Sequence, residues 1–153
     1  MHAEQLQRLS ALYTLVWATT WTSDANRLLS PLLGLPDLPY VDWPQRLLDR
    51  HPRQGRNGSW KTPYLAAWLD KHAPSRPWVW LDDEPNRYDR AWFTQHYLTR
   101  PAPPAWQVVR VDAHIGLVAD HFDQLTHWAH TLPTPDTDAN TGAADGVGEG
   151  GAS

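Results

Sequence analysis

The sequence predicts an α/β domain, a Rossmann-like three-layer sandwich with a parallel sheet of about four strands. Three observations carry that expectation. Segments with helical spacing alternate with short β-branched and aromatic runs in the order αβαβαβαβα, and such alternation argues for a parallel sheet covered on both faces. A length of 153 residues suits one domain with a sizeable core. Ten tryptophans supply large rings for core and pocket walls, each with one N–H to satisfy.

Leu6, Leu9 and Leu12 recur at helical spacing, which predicts an amphipathic helix over 3–12. The run YTLVWAT at 13–19 lacks that period and reads as a buried strand. Thr22, Ser23 and Asp24 are good caps, and ANRLLSPLLGL after them reads as a helix, interrupted at Pro31 and stopped near Gly34 and Pro36. A weaker strand spans 39–43. Residues 44–59 are loop-like, with one helical turn at 45–50. A helix follows over 62–71, where Pro63 is tolerated in the first turn. Strands are predicted at 78–81 and 107–111, and helices at 86–98 and 117–132, the last with Phe122, Leu125, Trp128 and Ala129 on one face. From 133 onward core-forming residues are lacking, so the domain is placed at 1–132 and a disordered acidic, Gly-rich tail at 133–153.

Composition removes several function classes. A formal charge of −4 gives no support for a polyanion-binding face. Without cysteine there is no disulfide, zinc–thiolate site or thiol nucleophile, which fits a cytoplasmic protein. No apolar run approaches the roughly 18 residues of a membrane span. The N-terminus has an early acid and no small-residue cleavage site, so it makes a poor signal peptide.

Several stretches invite a chemical reading. Gly55-Arg-Asn-Gly-Ser-Trp-Lys61 looks like a phosphate loop, but Trp60 stands where glycine is needed before the lysine, and no strand precedes it. Lys61 itself stands at a helix start, where a cation gains nothing from the helix dipole; a solvated surface lysine is the plainer reading. His121, His127 and His130 lack a convergent third ligand and read as surface histidines. Asp136-Thr-Asp138, the one Asp-x-Asp, follows no hydrophobic strand and reads as tail. Trp21, Trp43 and Trp60 have rings able to stack a base, with packing as the weightier reading. Asp82, Asp83 and Glu84 crowd at a strand end and repel one another unless a positive group sits nearby. Magnesium, which accepts one or two carboxylates beside a phosphate, would relieve that; helix capping by Glu84 or Asn86 is the even alternative.

Taken in order, the WATTW stretch ending the first strand, Lys61 at a helix start and WLDDE about 20 residues later resemble the haloacid dehalogenase-like (HAD) hydrolase superfamily. The nearest likeness is to small bacterial HAD-like domains, over about residues 5–130. The resemblance implies a magnesium-dependent phosphohydrolase acting on phosphate monoesters. It implies that Thr19, or its neighbour Thr20, holds the phosphoryl group, that Lys61 neutralises its oxygens, and that Asp82 and Asp83 hold Mg2+. The implied substrate is a phosphorylated small molecule or, since related domains accompany RNA repair, a nucleic-acid end. The family's first motif, a strand ending Asp-x-Asp that supplies the nucleophile, does not occur upstream of Thr19. In the family that strand is central, and removing it leaves roughly 10 Å between its neighbours, since strands sit about 4.8 Å apart. The expectation is therefore an N-terminally incomplete HAD domain, inactive or weakly active as written, with a late-assigned start or a truncated gene as the simplest cause. The alternative is a non-catalytic phosphate- or nucleotide-binding module or partner subunit.

Overall fold

The structure is a computed structural model and describes residues 2–50 and 57–133. The expected tail from 134 onward, with Asp136 and Asp138, lies outside the described residues, as does most of the Gly55 loop's start. Six helices and two strands follow in chain order among the described residues: α1 His2–Ser10, α2 Asp24–Leu28, α3 Gln45–Arg50, α4 Thr62–His72, β1 Trp78–Asp82, α5 Arg87–Tyr97, β2 Trp106–Arg110 and α6 Ala119–Thr131. A short 3-10 turn, Pro31–Leu33, follows α2. Pro31 divides the predicted second helix, and Gly34 ends it in the left-handed region at φ 63°.

The middle layer is parallel but smaller than expected. β1 pairs with β2 from Trp78↔Trp106 to Asp82↔Arg110. The segments read as strands at 13–19 and 39–43 meet only in an isolated parallel bridge, Trp17↔Tyr40. Two backbone bonds make it, Trp17 N–H to Pro39 C=O at 2.9 Å and Val41 N–H to Trp17 C=O at 2.8 Å. Among the described residues no backbone hydrogen bond joins this pair to β1 or β2. The sheet is thus two-stranded rather than four-stranded, because nothing described bridges the two pairs.

Alternation of side chains nevertheless builds three layers. Trp78 and Trp80 of β1, with Val108 of β2, pack against Leu65, Ala66 and Leu69 of α4 and Phe93 and Tyr97 of α5. Val79 and Leu81 turn the other way, onto Leu9 of α1 and Phe122 and Leu125 of α6. The segment before Trp17 divides in the same manner: Val16 and Ala18 pack with the first cluster, Tyr13 and Leu15 with the second. It therefore runs in the same layer without being hydrogen-bonded into the sheet. α1 ends at Ser10, two residues short of the predicted span, and Leu12 is exposed.

Rings dominate the larger cluster. Trp78 lies 4.7 Å from Phe93 and stacks on Trp106 at 5.7 Å, and its indole N–H reaches the Tyr97 hydroxyl at 3.1 Å. The Trp80 indole N–H is buried with no hydrogen-bond partner among the described residues. At the outer edge of β2, Arg90 donates to the Val108 carbonyl at 2.9 Å and blunts that edge with charge. Asp70 of α4 ties to α5 and its end through Arg100 at 2.7 Å and His96 at 3.1 Å. Burial works to raise the Asp70 carboxyl, but these partners outweigh it and hold it below its ordinary value.

Phe93 is fully buried at the centre of the ring cluster, whereas Leu32 is 79% exposed. Phe93→Ala is expected to cost about 3–5 kcal/mol. Leu32→Ala is expected to stay within about 0.5 kcal/mol. Urea unfolding followed by circular dichroism checks both.

Candidate functional site

The carboxyl end of β1 carries the densest charge arrangement in the structure. Lys61, the residue before α4, is not a surface lysine: it is 5% exposed. Its ammonium lies 2.7 Å from Asp82 Oδ2 and 3.5 Å from Glu84 Oε1. The positive group that the crowded carboxylates require is this side chain. The other Asp82 oxygen accepts from the Glu84 backbone N–H at 3.0 Å, so the chain turns tightly as it leaves the strand.

A second buried carboxylate aims Lys61. Asp89, 2% exposed, accepts from the Ser59 N–H at 2.8 Å, from the Asn86 N–H at 2.7 Å and from the Thr62 hydroxyl. Asn86 in turn caps α5 by accepting from the Tyr88 N–H, so Asn86 and not Glu84 is the cap. Gly58 sits at φ 103°, and a Cβ there would lie 2.6 Å from Asp89 Oδ1. Glycine is needed both for the left-handed backbone and for the close approach. Ser59 extends the network: its hydroxyl donates to Glu84 Oε2 at 2.7 Å and accepts from the Lys61 N–H at 3.2 Å. Sequence reading missed Gly58, Ser59 and Asp89. The one available signal was Asn86 followed three residues later by an acid, a capping-box pattern.

Burial raises the Asp82 carboxyl above its ordinary value, with the Lys61 ammonium opposing and the Glu84 charge reinforcing. A carboxyl shifted upward stabilises the fold most at pH below its ordinary value, and that contribution is lost as pH climbs through the raised value. Asp83 is exposed and forms no hydrogen bond or ion pair among the described residues.

Thr19 and Thr20 follow the Trp17 bridge in a turn. Thr19 connects to the lysine through two tryptophans. The Trp43 indole N–H donates to the Thr19 carbonyl at 2.9 Å, and the Trp43 ring meets Trp60, next to Lys61, at 5.4 Å. Lys61 and Asp82 are thus in direct contact, whereas neither Thr19 nor Thr20 forms a hydrogen bond with them among the described residues. Trp43 and Trp60 are packing residues, as read from the sequence, but Trp21 is 49% exposed. An open cleft of about 530 Å³ lies beside Thr20 and Trp21 rather than over Lys61.

The expected magnesium site has a thin donor set. Among the described residues no group of three His, Cys, Asp or Glu is placed to hold a metal ion. Both Asp82 oxygens already accept bonds, which leaves Asp83 as the free carboxylate. One or two carboxylates suffice for magnesium that arrives with a phosphate and keeps its waters, so the residues fit a shared ion and not a preformed cage. No helix among the described residues is long and apolar enough to cross a membrane.

Helices on both faces of parallel strands, with charged groups gathered at a strand's carboxyl end, define an α/β domain whose site lies where such folds bind ligands. A family model described as the HAD domain in Swiss Army Knife RNA repair proteins matches residues 1–122, and the chain belongs to that family. Comparison with curated proteins and with solved structures found no match.

Two expectations follow from the geometry. Asp89→Ala strands three donors and is expected to cost about 3 kcal/mol or more in a urea melt. Carbon-13 NMR of the Asp82 carboxyl should show titration above the ordinary aspartate range, shifted further up in Lys61→Met. Titration below that range would contradict the dominance of burial.

Proposed function

We propose that this chain carries the phosphate-handling part of a HAD-type phosphohydrolase acting on phosphate monoesters at RNA ends. The observation that carries the reading is the buried Lys61 ammonium, held at the carboxyl end of β1 by Asp82 and Glu84. Burying an ammonium costs several kcal/mol unless it is paired. A lysine held rigidly at a strand end, in a family set in an RNA repair context, is suited to an anionic phosphoryl group.

Phosphoryl transfer rests on positioning and charge neutralisation. An ammonium has three N–H donors; two point towards Asp82 and Glu84, and the third serves a phosphoryl oxygen. The Thr19 or Thr20 hydroxyl and the backbone N–H groups of their turn steady the remaining oxygens. Asp83, with a share of Asp82, would hold Mg2+, which when bound supplies neutralisation of the phosphate charge. In hydrolysis the ester P–O bond breaks, the alcohol oxygen takes a proton, and the phosphoryl group ends on a water oxygen. A cytoplasmic setting accords with the absence of cysteine.

A second reading has its own observation. Among the described residues both carboxylates that touch the Lys61 ammonium are already engaged, Asp82 by the Glu84 N–H and Glu84 by the Ser59 hydroxyl. That favours a phosphate- or nucleotide-binding module without turnover.

Phosphate release from p-nitrophenyl phosphate and from single-stranded RNA with a terminal phosphate separates the two. The enzyme reading expects magnesium-dependent release, lost in Lys61→Ala and Asp83→Asn. The module reading expects magnesium-dependent binding of inorganic phosphate by calorimetry, weakened by the same substitutions, with no release. Neither binding nor release would end both.

A further inference from the structure

The open cleft beside the Thr19–Thr20 turn has a character that phosphate handling does not explain. Among the described residues no lysine or arginine lines it, and Asp24 and Asp49 both do. One wall is the Trp21 ring, 49% exposed, and another is Leu28, 41% exposed. An exposed indole offers a flat apolar face with one N–H donor, the kind of surface on which a planar ring can stack.

The remaining lining, Leu48 apart, is polar and open to solvent. Gln45 donates to Asp49 Oδ1 at 2.8 Å, and the Gln45 carbonyl and second N–H and the other Asp49 oxygen make no further hydrogen bond among the described residues. The hydroxyls of Thr20 and Thr22 make no hydrogen bond among the described residues. Thr22 is held at φ 47°, a left-handed conformation that β-branched residues rarely adopt, immediately after Trp21. Strain of this kind concentrates at ligand clamps. A volume of about 530 Å³ suits a ligand of nucleoside size.

With Asp24 and Asp49 on its wall and no cation among its described lining residues, the cleft disfavours phosphate. It offers instead one aromatic face for stacking and a mixed donor–acceptor edge. Thr20 belongs both to this cleft and to the turn assigned to the phosphoryl group. We infer that the cleft seats the terminal nucleobase of a single-stranded RNA end, stacked on Trp21 with its polar edge towards Gln45 and Asp49, while the terminal phosphate lies across Thr20 towards Lys61. The inference rests on the phosphate-handling reading above and adds to it a seat for the base of the terminal nucleotide.

The test uses the full chain and fluorescein-labelled RNA ending in a phosphorylated nucleotide, against the same RNA ending in a phosphorylated abasic residue. Fluorescence anisotropy reads affinity, and calorimetry with inorganic phosphate runs in parallel. The wild type should prefer the base-bearing end. Trp21→Ala should remove that preference and weaken binding roughly 5- to 150-fold, the range that loss of one stacked base implies. Trp21→Phe should restore most of it, and phosphate binding should stay unchanged in both variants. Leu28→Glu, elsewhere in the cleft lining, should reproduce the loss and covers the case in which Trp21→Ala does not fold. Equal affinity for the two ends, or a preference that survives Trp21→Ala and Leu28→Glu, overturns the base seat while leaving phosphate handling intact. Failure of the wild type to bind inorganic phosphate overturns both.

Discussion

Asp89 takes bonds from two backbone N–H groups and a hydroxyl at once, and through them fixes where the chain before α4 lies against α5. Everything at the carboxyl end of β1 depends on that clasp. Ser59 reaches Glu84, and Lys61 reaches Asp82, only because residues 58–62 are pressed onto the start of α5. A fully buried carboxylate is tolerated when charged acceptor bonds replace its water. Asp89 satisfies that condition using donors from both segments it joins.

The same logic explains the arrangement above it. Lys61 and Asp82 have side chains only 7% and 9% exposed, and neither would be stable there alone. Paired, they keep a cation at a strand end without a surrounding cluster of bases, in a chain whose net charge is acidic. Specificity then has to come from elsewhere on the surface. The cleft beside Thr20, with the exposed Trp21 ring and no cation among its described lining residues, is a surface of different character.

Much of this was legible in the chain. Helix positions follow directly from apolar period and capping residues, with Pro31 and Gly34 acting as punctuation where predicted. The family resemblance gave Lys61 and Asp82 roles at one phosphate site, but their direct ion pair with each other was not part of that expectation. The burial of Lys61 was not legible, since it depends on Glu84 and on the loop clasped by Asp89, 30 residues from Ser59. Strand pairing was the other shortfall. YTLVWAT has strong β character, yet propensity describes a side-chain environment and does not supply a neighbour to bond with. Trp21 followed the opposite course: its residue type suggested packing, but its ring is 49% exposed, next to the left-handed Thr22.

The solitary pairing of β1 has a consequence for solvent exchange. In the register with β2, the backbone groups of Trp78, Trp80 and Asp82 address the partner strand, and the Trp78 N–H and Asp82 carbonyl bonds mark the two ends of that ladder. The N–H groups of Val79 and Leu81 point the other way and have no backbone acceptor among the described residues. Deuterium should therefore enter every second amide of β1 ahead of its neighbours, giving a two-residue rhythm of protection within a single short strand.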